Sequence, residues 1–124
     1  MTSKPALATF ARAAIDEKAS KLVEATLKPR LIEAQPNEEF NFVVDVLTRW
    51  RGSSLYFISL YQVGSHGDVP GDTFEAPFAR MQHKGGDCFG LSFMRHTGRW
   101  VEIYPELPVD ECLESIRDDP FFAA

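Results

Sequence analysis

With 124 residues and 44% hydrophobic content, the sequence has room for one compact domain, taken as residues 1–124, and not for two. Its net charge of −5 lies in residues 105–124, which carry one arginine against six acids, while residues 1–47 sum to −1 and residues 48–104 to +1. That distribution argues against a general nucleic-acid binder, and no apolar run approaches the roughly 20 residues that span a bilayer.

The first segment reads as a helix over residues 5–28. Leu7, Ala11, Ile15, Ala19, Leu22 and Thr26 recur at steps of three or four. Pro5 suits the first turn with Ser3 as its cap, and Pro29 ends the pattern. A short helical turn follows before Pro36 and Asn37, giving a helical segment of about residues 5–35. The "ARAA" near the start invites comparison with a secretory leader. Arg12, Asp16, Glu17 and Lys18 interrupt any apolar core such a leader needs, so a cytoplasmic protein is expected.

From residue 40 the period changes to two. In "FNFVVDVLTRW", Phe40, Phe42, Val44 and Val46 are predicted to share one face, opposite Asn41, Asp45 and Arg49. "GSS" turns the chain into "LYFISLYQV" (55–63), which is apolar on both faces: Leu55, Phe57 and Tyr61 on one, Tyr56, Ile58 and Leu60 on the other. The glycine- and proline-rich run 64–72 is a loop. A third strand (73–83) contains Pro77, which lacks a donor and so belongs at an edge or a bulge. "KGGD" leads into a fourth strand (88–96), and Thr97-Gly98 turns it into a fifth (99–104). In the last element, Val109, Cys112, Leu113 and Ile116 mark one face of an amphipathic helix over about residues 108–119, with Asp110 and Glu111 in its first turn. The predicted class is α+β: an N-terminal helix, a mostly antiparallel sheet of about five hairpin-joined strands (about 40–104), and a C-terminal helix, with the helices on one face.

The stretch from Phe78 to Phe122 resembles a functionally uncharacterised bacterial group, domain of unknown function family 3024. The features that carry the resemblance are Gly98-Arg99-Trp100, the aromatic Tyr104, the acidic helix with Asp110, Glu111 and Leu113, and the terminal Asp119-Pro120-Phe121. The resemblance supports the fold class and implies no activity, cofactor or catalytic residue.

The densest chemistry is "MRHTGRW" (94–100). Arg95, His96 and Arg99, with Arg80 nearby in sequence, could clamp a carboxylate or phosphate. No nucleophile–base spacing accompanies them, so no catalytic residue is assigned, and a polar hairpin end is the plainer reading. His66, His83, His96, Cys88 and Cys112 form no C-x-x-C and no paired-histidine pattern, so no metal or cofactor is expected. Two cysteines are too few for a disulfide framework and are expected to be reduced thiols. Strand aromatics with nearby arginines (Arg49, Arg51, Arg80, Arg95) leave single-stranded nucleic acid as a third reading, which the acidic C-terminal helix opposes. The leading expectation is a non-catalytic interaction domain, a homodimer or a binder of a protein partner. A sheet apolar on both faces needs a cover, and Phe57, Tyr61, Phe121 and Phe122 are the candidate contact residues.

Overall fold

The alternating stretches form one antiparallel sheet: β1 (Phe42–Arg51), β2 (Ser54–Gln62), β3 (Thr73–Gly85), β4 (Cys88–Met94) and β5 (Trp100–Pro108), in the order β1-β2-β3-β4-β5. This is a computed structural model and describes residues 9–33 and 39–122. The sheet is a meander because each strand hairpins into the next. Arg51 pairs with Ser54 and Gly85 with Cys88, so two-residue turns join β1 to β2 and β3 to β4. Gly52 (φ +60°) and Gly86 (φ +54°) take the left-handed conformation those turns need. The β2–β3 loop is held differently. His66 N–H donates to the Glu39 carbonyl at 3.0 Å, and Gly64 lies so near the Glu39 and Phe40 carbonyls that a Cβ would have no room.

The N-terminal helix, α1 (Thr9–Leu22), does not stop at Pro29 as its sequence suggests. It runs on through π-helical turns at Val23–Leu27 and Pro29–Glu33, with Lys28 N–H bonded to the Val23 carbonyl five residues back. Its buried residues are Ile15, Ala19, Val23, Leu27 and Leu31, each four after the last. In an α-helix every four-residue step overshoots a full turn by about 40°, which would swing Leu31 about 160° away from Ile15. The i→i+5 bonding of a π turn puts more residues in each turn and keeps the stripe on the sheet. The expected stripe through Leu22 and Thr26 is therefore displaced by one residue, to Val23 and Leu27. The expected cap at Ser3, Pro5, Leu7 and the break at Pro36 and Asn37 lie outside the described residues.

α2 (Val109–Asp118) buries Val109, Cys112, Leu113 and Ile116, the face its sequence marks. A 3₁₀ turn, Pro120–Phe122, follows it. Lys18 and Asp110 link α1 to α2 through an ion pair of 2.8 Å. Both helices and the π turns share one core with Leu55 and Phe57 of β2, Ala79 and Met81 of β3, and Phe89 and Leu91 of β4. All helices thus lie on one face, as expected for this class. Among the described residues, no helix is long and apolar enough to cross a membrane.

Bulges change which side chains face that core. The register of β1 against β2 passes from Val43–Tyr61 to Asp45–Leu60, leaving Val44 as an extra residue. Val43 and Val46 are therefore the buried pair, not Phe42, Val44 and Val46, and Phe40 precedes the strand with 65% of its surface exposed. Pro77 lies in the central strand, at the bulge where Phe57 faces Ala79 and Ile58 faces Pro77, so of the two expected settings it takes the bulge. β5 continues past the expected end at 104, through Pro105 to Pro108. As an edge strand it tolerates a residue without a donor.

Candidate functional site

The 94–100 segment is a tight hairpin. Arg95 N–H donates to the Arg99 carbonyl and Gly98 N–H to the Arg95 carbonyl, both at 2.9 Å. Gly98 has φ +81°, so His96, Thr97 and Gly98 form a three-residue loop that ends on a left-handed glycine. Residues 95–99 are exposed. The side chains of Arg95, His96 and Arg99 make no hydrogen bond or ion pair among the described residues.

Arg80 does not join them. Ala79 and Met81 face the core, so Arg80 between them points to the opposite side of the sheet. There its guanidinium lies 4.9 Å from the centre of the Trp100 ring, and Nη2 donates to Ser92 Oγ at 3.5 Å, while Nε is buried without a partner. Tyr56 meets the same Trp100 edge-on at 5.7 Å.

Arg95 and His96 instead stand over a cleft of about 240 Å³ on the helix side of the sheet. Ser59 and Tyr61 of β2, Pro77 and Phe78 of β3, and Phe121 and Phe122 of the 3₁₀ turn also line it. Three of these, Ser59, Pro77 and Phe78, are absent from the sequence-derived set. Ser59 is a lone hydroxyl in an apolar strand, which is the signal that could have found it. Its Oγ is buried and has no hydrogen-bond partner, an arrangement that costs about 1–3 kcal/mol. Phe78 is turned inward by the Pro77 bulge and is not legible from alternation.

The four candidate contact residues separate. Phe57 is fully buried, 6.4 Å from the Phe78 ring, and Phe122 is buried against Phe93. Both are placed by packing within the chain, which removes them as surface contacts. Tyr61 is half-buried and stacks on Phe74. Phe121 is 54% exposed, with its ring 4.7 Å from Phe93. Asp119 fixes this terminal turn by accepting from Phe121 N–H at 3.2 Å, and from Tyr104 and Ser115 hydroxyls at 3.2 and 3.5 Å.

The arginine–aromatic set proposed for base stacking is divided between the two faces. Trp50 sits on the helix side, donating to Asp16 at 2.8 Å beneath the Arg12 guanidinium. Arg49 is held by Glu75 through two hydrogen bonds of 2.7 Å, which keep the Glu75 carboxyl below the usual carboxylate range. The three histidines are also apart. His66 meets Phe40, His83 donates through Nε2 to the Gly86 carbonyl at 2.9 Å, and His96 is at the hairpin tip. Among the described residues, no three His, Cys, Asp or Glu side chains gather as a metal-binding group. Cys88 and Cys112 are free thiols, and burial pushes the Cys112 thiol up to about 12.

Residues 9–123 match the sequence model of a family described as Domain of unknown function (DUF3024), so the likeness reaches well beyond 78–122. No curated protein and no solved structure matches the chain.

Proposed function

We propose a non-catalytic, self-associating role for this chain, which belongs to the family Domain of unknown function (DUF3024). The observation that carries the reading is the one-sided placement of the helices. The opposite face of the sheet has no layer over it among the described residues. Ile58, only 4% exposed, lies on that face, with Leu47 opposite it on β1. Tyr56, Leu60 and Trp100 extend the apolar strip half-buried. The charged pairs Arg49–Glu75 and Lys84–Glu102 are already neutralised within the chain. Arg80 lies within this strip with its guanidinium over Trp100, and the rest of the strip is apolar and bordered by satisfied ion pairs, which suits two copies packed sheet to sheet about a two-fold axis. Two free thiols fit a reducing compartment such as the cytoplasm.

The contact surface is therefore placed on Tyr56 and Leu60 rather than on Phe57. The test is native mass spectrometry of the wild type beside Leu60→Glu. The expected result is a wild-type dimer and a folded monomeric variant with an unchanged circular dichroism spectrum. A wild type that stays monomeric at micromolar concentration sinks the reading.

A further inference from the structure

We infer that the cleft below the 94–100 hairpin is a binding site for a small aromatic carboxylate. This goes beyond self-association, because the cleft lies on the helix side and the proposed dimer contact on the other. The π-helical turns pack on β1 and α2 packs on β4 and β5, and the cleft opens over the ends of β2 and β3. Three features define its occupant.

The walls are aromatic. Tyr61, Phe78, Phe121 and Phe122 all line the cleft, a setting for a flat ring held by offset or edge-on contacts. The rim carries the unanswered positive charge of Arg95, with His96 beside it. Arg95 and His96 have no ion-pair partner among the described residues, and no lining residue is acidic, in a chain of net charge −5. An arginine fork binds a carboxylate through two parallel hydrogen bonds. Ser59 also lines the cleft, and its buried Oγ has no partner. At about 240 Å³ the cleft falls below the usual range for cofactors and drug-sized ligands, so a one-ring ligand fits it.

The test is a ¹H–¹⁵N NMR titration of the full chain with phenylacetate and, separately, its neutral amide. Phenylacetate is expected to shift the amides of Ser59, Tyr61, Phe78, Arg95, His96 and Phe121. The amide is expected to bind about tenfold or more weakly, the size of one charge-assisted hydrogen bond. Arg95→Gln, at an exposed turn position where folding is not at stake, should abolish that preference. Absence of shifts at millimolar phenylacetate, shifts located elsewhere, equal binding of acid and amide, or an unaltered preference in Arg95→Gln would each overturn the assignment.

Discussion

Lys84 and Glu102 form a 3.1 Å ion pair that reaches from β3 to β5 across the intervening strand, and Gly90 of β4 is what leaves them room to meet. A Cβ at position 90 would run into the Glu102 carboxylate and the Lys84 chain. At a strand position without such neighbours, Gly→Ala stabilises by about 0.4–1 kcal/mol through the unfolded chain. Here displacing the pair should offset that gain, so Gly90→Ala should leave stability within about 0.5 kcal/mol of the wild type. The gain should return when Lys84 and Glu102 are both replaced by alanine. Urea unfolding of the four proteins checks the change in each background.

Phe57 and Phe121 are both phenylalanines read from sequence as contact residues, yet one is fully buried and the other 54% exposed. Truncating a buried phenylalanine removes its transfer energy and leaves a cavity. Phe57→Ala should therefore cost about 3–5 kcal/mol. Phe121→Ala should cost about 1 kcal/mol, for the partial loss of its contact with Phe93. Equal losses in the two variants would mean that Phe121 is packed far more tightly than its exposure indicates.

The strands and the hairpins that join them were legible because period-two alternation and glycine turns are local signals, whereas their order in the sheet was not. Gly52, Gly86 and Gly98 each mark a hairpin, and each adopts positive φ. What was not legible depends on a partner distant in sequence. The bulges at Val44 and Phe78 arise where a neighbouring strand pairs out of step, and each moves a side chain to the other face. The cleft was half legible. Arg95 and His96 stood out by type, whereas Ser59 and Phe78 enter it through register. Arg80 seemed to belong with them by residue type, and strand alternation sends it to the other face.

The π-helical turns make the most direct test of a stripe that simple periodicity misplaces. Leu27 is almost fully buried, while Thr26, on the stripe an α-helix would present, is only half-buried. Leu27→Ala should destabilise by about 2–5 kcal/mol. Thr26→Ala should stay within about 0.5 kcal/mol, as for a surface change. A reversal of that order, measured by thermal or urea unfolding, would mean that the segment is an ordinary α-helix in solution.

Cys112 ties stability to alkaline pH. Its thiol is buried under α2, near the carbonyls of Leu107 and Phe89, and desolvation raises its pKa from an ordinary 9.0 to about 12. In the unfolded chain the thiol ionises near 9.0, while the folded chain keeps the proton up to about 12. Between those values the folded state binds more protons, so unfolding becomes easier as pH rises. The contribution is complete below 9.0 and is lost progressively toward about 12. Cys112→Ala lacks the group and should lose that share of the alkaline slope, even though it is less stable at every pH. Lysines and tyrosines also titrate in this range, so the difference between the two proteins is the quantity to read. Denaturation midpoints at neutral pH and at a pH between 9.0 and about 12 give it directly. Parallel slopes would show that Cys112 ionises as freely folded as unfolded, which its burial forbids. Thiol labelling of the native protein offers an independent check. Cys88, half-buried at the start of β4, should react while Cys112 stays protected until the chain unfolds.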